Sequence, residues 1–301
     1  LEALHAHGDK PVVAIYSLGF TSVQRTAADL CHRGIACING LDLAIRSMRN
    51  LIHYAHEMTP PTGIADRPEP LNQQPVDRWL NELRHPGPRS EATSLALLQD
   101  FNLPVVPHLQ SNDLDAMVDF ADHQGYPVVL KTATTGVLHK SDCGGVITGL
   151  ENRDALCDAY RRLAARLGPE ALIMPQVRGQ VELAFGMQRD PQFGPMIVVA
   201  AGGILVELLD DRICALAPFG IAEARSLLDS LRIARILSGA RGEPGVDRGE
   251  LARLLSAFSS LATDLSDVVA EIDINPIIVG SDGIHIVDAL VVADPGNNAG
   301  Y

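Results

Sequence analysis

The chain has 301 residues, 47% of them hydrophobic and only 4% aromatic, with a formal net charge of −13 at pH 7. That much apolar material can bury cores for two domains, or three pieces, and a composition rich in Ala, Val, Leu and Ile suits an α/β protein. The acidic balance argues against nucleic acid or an anionic membrane as partner, since both demand clustered Lys and Arg. The five cysteines (Cys31, Cys37, Cys143, Cys157, Cys214) form no CxxC pair and no zinc spacing, so reduced thiols in a cytoplasmic protein are expected. No apolar run approaches the ~20 residues that span a bilayer, and no signal peptide is visible.

Residues 11–58 read as strand, helix, strand, helix. "PVVAIYSLG" is a short apolar run ended by glycine, as in a buried parallel strand, and "SVQRTAADLCHRG" has helical spacing with a stop at Gly34. "IACIN" is a second strand and "LDLAIRSMRNLIHYAHEM" an amphipathic helix. Two such units are too few for a closed sheet and resemble the last part of a doubly wound domain. With Leu1 rather than Met at its start, the chain is expected to be part of something longer at its N-terminus. Residues 59–88, rich in Pro and Gly, read as a linker with one helical turn near Trp79.

The pattern restarts at Ser90 with a capped helix, the strand "LPVVPHL", a helix with acidic residues in its first turn, and the strand "YPVVLKT". The loop "GVLHKSDCGGV" (136–146) leads into "GVITGL", a helix, and the strand "ALIMPQV". Beyond residue 180 come longer strands, "VELAFGMQRD", "GPMIVVAAGG" and "LVELLDDRICALAPF". Helices at about 221–238 and 247–265 follow, then the strands "VVAEIDINPIIVG" and "GIHIVDALVV".

No GxxxxGK[ST] occurs, and no GxGxxG follows the first strand. Lys131 stands at a strand end near the glycine turn at Gly144 and Gly145, where an ammonium and free backbone N–H groups can hold a polyphosphate; alternatively Lys131 merely emerges into water. In "EIDINP", Glu271, Asp273 and Asn275 alternate and so face one side of a strand, and "IHIVDAL" brings Asp288 onto the next. Such oxygen donors suit Mg²⁺; a solvent-facing edge strand is the plain alternative. His139 is a competent nucleophile towards phosphorus, with Lys140 beside it to offset charge, unless it is a structural loop histidine. His53 and His56 have no third ligand in view, and His5 and His7 lie near the chain start. "RDPQFGP" and "AAGGILVE" read as hairpin turns, or as places where Gly202 and Gly203 admit backbone to a ligand faced by Glu182 and Glu207.

Together, "GYPVVLK", "LHKSDCGGV", "VELAFGMQRDPQFGPM", "AGGILVE", "GARGEPGV", "EIDINP" and "VDA" resemble, in that order, the ATP-grasp half of the NDP-forming acyl-CoA synthetases, which include ADP-forming acetyl-CoA synthetase. The resemblance implies an ATP-grasp domain over 89–294, with lobe one at about 89–177 and lobe two at about 178–294. It implies that residues 1–58 are the C-terminal part of a flavodoxin-like CoA-ligase domain, joined by the 59–88 linker. Lys131 would hold nucleotide phosphate, and the loop with Lys140, Gly144 and Gly145 would cover the phosphates. Ile173, Met174, Pro175, Gln176 and Val177 would lie against adenine through backbone groups, with Glu182 near ribose. Asn275 and Asp288 match Mg²⁺ ligands, Asp273 the acidic residue beside the reacting phosphoryl group, and His139 a phosphorylated histidine that relays phosphate to or from ATP/ADP. The implied reaction is acid + CoA + ATP ⇌ acyl-CoA + ADP + phosphate, with CoA and the carboxylic acid bound by domains missing from this chain, and with homo- and hetero-oligomeric assembly both open.

Leu290 departs from the Arg or Lys usual in the family, two residues after Asp288. That departure motivates a second reading, a catalytically degenerate nucleotide-sensing module of a larger fusion protein such as a regulated acyltransferase. A third, another ATP-grasp carboxylate–amine ligase, needs no His139 and leaves residues 1–58 unexplained.

Overall fold

The computed structural model describes residues 12–17, 21–57, 73–134, 140, 143–203, 211–237, 239 and 245–294. The chain divides into two units, Leu1–Ala65 and Asp66–Tyr301. In the first, β1 (Val13–Tyr16) and β2 (Ala36–Asn39) pair in parallel, Val13 opposite Ala36 and Tyr16 opposite Asn39. Helices α1 (Thr21–His32) and α2 (Leu41–Glu57) follow the two strands, the crossover that a parallel pair requires. Ala27, Ile35 and Ala44 are buried between these elements, whereas Leu41, Leu43, Ile45, Leu51, Ile52 and Tyr54 of α2 are exposed.

The second unit opens with α3 (Gln73–Glu82), a full helix where one turn was expected. Val76, Trp79 and Leu83 recur at helical spacing and are buried, and Pro75 sits in the first turn, where backbone N–H groups lack intrahelical partners anyway. Trp79 Nε1 donates to Asp100 Oδ2 at 2.8 Å, which ties α3 to the next helix. Three apolar side chains among prolines are too sparse to give a periodic signal.

Two antiparallel sheets follow. The larger runs in the order β10 (Arg212–Leu216), β9 (Gly194–Ala201), β8 (Val181–Asp190), β11 (Val269–Gly280), β13 (Leu290–Ala293), β3 (Gly87–Pro88), with β12 (Gly283–Ile286) also paired to β11. Helices α7 (Ile221–Ser230), α8 (Ala234–Leu237) and α9 (Arg248–Asp264) share its core, where the rings of Phe185 and Phe258 stack at 6.0 Å between centroids. The smaller sheet runs β4 (Leu109–Ser111), β7 (Ala171–Pro175), β5 (Val128–Thr132), β6 (Val146–Leu150). Helices α5 (Leu114–Gln124) and α6 (Arg153–Leu167) close a separate core over it through Met117, Val118, Leu156 and Leu163.

Packing does not follow the expected lobe boundary near residue 89. Helix α4 (Glu91–Asp100) is capped by Ser90, whose Oγ accepts from Thr93 N–H, and it buries Leu95, Leu97 and Leu98 in the larger core. Val291 N–H donates to Ser94 Oγ at 3.0 Å, and Pro104 and Val106 exchange backbone hydrogen bonds with Ile286. The chain therefore enters the smaller lobe only after Val106. Helix α4 stays with the larger lobe because its leucines are buried there and Ser94 Oγ satisfies the Val291 N–H, while the following segment takes its backbone partners from Ile286.

Candidate nucleotide and metal site

Strand β11 alternates as its sequence predicts: Ile272 and Ile274 are fully buried, while Glu271, Asp273 and Asn275 lie on the exposed face. Asp273 pairs with Leu290 on β13 and Ile277 with Ile286 on β12, and one register joins these pairs. Asn275 and Asp288 lie in the stretches between these two pairs, where Val287 N–H donates to Pro276 O at 3.5 Å. On the other flank Asp273 pairs with Gly186 and Ile278 with Glu182. Because Leu183, Phe185 and Met187 are buried, Glu182 shares the exposed face of Gly186, and hence of Asp273. Three expected site residues, Asp273, Asn275 and Glu182, thus share one sheet face, and Asp288 is near enough for its charge to act on Asp273.

Charge accumulates there. Burial pushes the Asp273 carboxyl above its ordinary value, and the nearby Glu271 and Asp288 carboxylates add to the rise. Burial also raises Asp288, against the pull of the Lys131 ammonium. A face of crowded carboxylates favours a cation, and the Asp288 carboxylate and Asn275 amide are the kinds of oxygen donor that fit Mg²⁺. Among the described residues no group of three or more His, Cys, Asp and Glu could hold a metal by itself. An ion held by Asn275 and Asp288 would thus complete its shell with water and phosphate oxygens, as Mg²⁺ does.

Lys131 does not emerge into water. It is buried, at 6% exposure, and uses all three of its protons: Nζ donates to Glu91 Oε1 at 2.6 Å, to Val287 O at 2.8 Å and to Asp288 Oδ2 at 2.9 Å. Burial alone would lower the pKa of this ammonium, but the Asp288 and Glu91 carboxylates outweigh it and hold the pKa above its ordinary value. Lys140 Nζ donates to the other oxygen of Glu91, also at 2.6 Å. Glu91 is not among the site residues expected from the sequence.

The glycine turn corrects one expectation. Gly145 N–H is not free for phosphate: it donates to Lys140 O at 2.6 Å, and Gly145 O accepts from Thr132 N–H at 2.7 Å. A Cβ at residue 145 would stand 2.7 Å from Thr132 Cγ2 and 2.9 Å from Lys140 O, so the turn closes this tightly only with glycine. Gly144, at φ +62°, presents its carbonyl to Arg166 Nη2 at 2.5 Å. His139 lies outside the described residues.

The segment expected against adenine is divided. Ile173 is buried in the smaller core, and its strand is paired on both edges, with Leu109 of β4 and Leu130 of β5. Its backbone is therefore spent within the sheet, which corrects the expectation that it meets adenine. Met174 and Pro175 pair with β5, and Met174 faces the larger core. Gln176 and Val177 do line open space, a cavity of about 740 Å³ shared with Tyr126, Pro127, Glu151, Arg178, Asp282 and His285. That lining omits Lys131, Asp273 and Asp288, so the cavity does not contain the charged face. Gly202 N–H donates to Glu182 O at 2.6 Å, and a Cβ at residue 202 would meet the Glu182–Leu183 backbone at 2.8 Å. Gly202 thus serves the approach of two strands. Glu207 lies outside the described residues.

Residues 87–293 match the family of the ATP-grasp domain. The chain belongs to that family. Within it, this ATP-grasp chain is 33% identical over 213 residues to the acetate–CoA ligase [ADP-forming] I subunit beta of Pyrococcus furiosus, covering 68% of this chain and 91% of the relative. It is 32% identical over 284 residues to acetate–CoA ligase [ADP-forming] I of Archaeoglobus fulgidus, covering 91% of this chain. It spans 41% of the length of that relative. Among solved structures it resembles the dinucleotide forming acetyl-coenzyme A synthetase 1 of Ca. Korarchaeum cryptofilum, in complex with coenzyme A and Mg-AMPPCP. The TM-score is 0.63 at 30% identity, over 74% of this chain and 100% of that one. The ATP-grasp fold, mixed α/β with antiparallel sheets, is as the resemblance implied. No helix among the described residues is long and apolar enough to cross a membrane.

Proposed function

We propose that the chain is the nucleotide-binding, phosphoryl-transferring part of an acid–CoA ligase of the ADP-forming type, acid + CoA + ATP ⇌ acyl-CoA + ADP + phosphate. The observation that carries this reading is the meeting of Lys131 with Asp288 at 2.9 Å: a phosphate-binding cation beside a carboxylate suited to Mg²⁺. Lys131 and Lys140 bind nucleotide phosphate oxygens, and Gln176 and Val177 hold the base at the cavity between the two sheets. Glu182 lies on the same face, near ribose. Asn275 and Asp288 hold Mg²⁺, which when bound offsets phosphate charge. Asp273 accepts a hydrogen bond from the imidazole and balances the positive charge that grows on it. An imidazole nitrogen of His139 attacks the γ-phosphorus; the N–P bond forms as the P–O bond to ADP breaks, and ADP leaves with the electron pair.

The exposed apolar side chains of α2 support the assignment of residues 1–58 to a larger flavodoxin-like CoA-ligase domain, which needs further surface to cover them. Residues 59–88 then link it to the ATP-grasp part at 89–294, and CoA and the carboxylic acid bind to the remainder of the ligase. The relative from Pyrococcus is named a beta subunit, which supports assembly with a second type of chain. Five free cysteines support a cytoplasmic location.

The test is labelling with [γ-³²P]ATP and Mg²⁺. The parent chain should acquire acid-labile phosphate and His139→Asn should not. Equal labelling of the two would refute the carrier role.

A further inference from the structure

The buried carboxylate of Glu91 has no role in the function proposed above, and the helix that bears it does not need it. Ser90 already caps α4 by accepting from Thr93 N–H. Glu91 instead turns inward, its side chain 5% exposed, and gives one oxygen to each of two lysines: Oε1 to Lys131 and Oε2 to Lys140, both at 2.6 Å. A carboxylate this buried is a costly element unless each oxygen meets a charged donor, and here each does.

The three residues come from different places. Glu91 rides on α4, whose apolar side packs in the larger core, whereas Lys131 lies on β5 of the smaller sheet and Lys140 opens the turn after it. The carboxylate therefore fixes both ammonium groups relative to the lobe that carries Asp273, Asn275 and Asp288. Asp288 also holds Lys131, but in the proposed function Asp288 turns to the metal. Glu91 has no such second task and remains with the lysines when Asp288 is taken.

We propose that Glu91 is a positioning residue for phosphoryl transfer, pairing Lys131 with Lys140 through separate oxygens and so setting where two ammonium groups meet the phosphates. The inference rests on the nucleotide-binding reading given above. Glu91 touches neither nucleotide nor metal; it acts through the lysines. Its removal should leave nucleotide attraction intact, since one negative charge is lost beside the phosphates, and should instead cost the alignment that the transfer step requires.

The experiment uses the full 301-residue chain with Mg-ATP, comparing the parent with E91Q and E91D. Affinity is read by calorimetry and the first-turnover rate of phosphate incorporation by quenched flow at saturating nucleotide. E91Q should bind Mg-ATP at least as tightly as the parent, by up to about fivefold, since a repelling charge is gone. Its transfer rate at saturation should fall by about tenfold or more. E91D, one methylene too short to reach both lysines, should show the same rate loss with affinity retained. It keeps the inference open to refutation should E91Q not fold. A saturating rate within about twofold of the parent in either variant overturns the inference, as does a loss confined to affinity and melting temperature. Failure of the underlying reading looks different: the parent itself would then neither bind Mg-ATP nor lose binding on Lys131→Ala.

Discussion

Lys131 and Asp288 stand 157 residues apart in the chain and meet at 2.9 Å. One lies on the smaller sheet and the other in the link that closes the larger one, so this contact joins the two lobes at the charged face. It also couples two tasks. A phosphate arriving at Lys131 competes with Asp288, and a cation arriving at Asp288 competes with Lys131, so phosphate and metal together satisfy both groups better than either alone.

Lys131→Ala should weaken Mg-ATP binding about 10- to 150-fold, the equivalent of ~1.5–3 kcal/mol for a hydrogen bond to a charged group. It should also lower the melting temperature, because Glu91 and Asp288 would be left facing each other without their shared cation. Calorimetry and a thermal melt check the two effects separately.

Asn275→Ala combined with Asp288→Ala should abolish the dependence of nucleotide binding on Mg²⁺, since these two residues are the proposed oxygen donors to the ion. Titration of Mg²⁺ at fixed ATP reads this directly. A midpoint unchanged from the parent would remove both residues from the metal site.

Asp273→Asn should make the protein more stable and less active. Burial, then Glu271 and Asp288, hold the Asp273 carboxyl above its ordinary value of 3.8. As pH falls, the folded chain therefore takes up this proton before the unfolded chain does, and stability rises through that window. Above the raised value the ionised group costs stability, and the amide removes that cost. The melting temperature at pH 7 should rise by about 1–2 °C, small because the side chain keeps much of its water, and the gain should vanish as pH approaches the ordinary carboxylate value. Melts at several pH values give the sign.

Gly145→Ala should cost roughly 1–3 kcal/mol, because the new Cβ would meet Thr132 Cγ2 at 2.7 Å and Lys140 O at 2.9 Å. Gly194→Ala is the control: nothing lies within 4 Å of its Cβ, so only the strain of φ +79° remains, about 1 kcal/mol. Urea unfolding of the two variants separates crowding from backbone strain.

Much of the charged face is legible in the amino-acid sequence, because it follows from a period of two. In "EIDINP" the buried isoleucines force Glu271, Asp273 and Asn275 outward, and an antiparallel return through β13 sets Leu290 opposite Asp273. Glu91 is not legible. An acidic residue in the first turn of a helix is already explained by the helix dipole, and its partners lie 40 and 49 residues away, with no local spacing to betray them. The occupied amide of Gly145 is hidden for a related reason: a double glycine announces a tight turn but not whether its N–H groups point outward or close the turn on itself. Helix α3 escapes because burial of Trp79, a tertiary event, outweighs a proline-rich context.

The smaller sheet is a contiguous stretch, from Leu109 to Pro175, whereas the larger one joins β3, at residues 87–88, to β13, at residues 290–293. During translation the first can fold as soon as it leaves the ribosome, while the second waits until residues 290–293 are made. Asp288 emerges with them. A nascent chain therefore carries Lys131 long before it carries the carboxylate that completes the lysine's surroundings, and premature termination just ahead of Asp288 would yield a protein with a sound small lobe whose Lys131 has lost one of its two carboxylate partners.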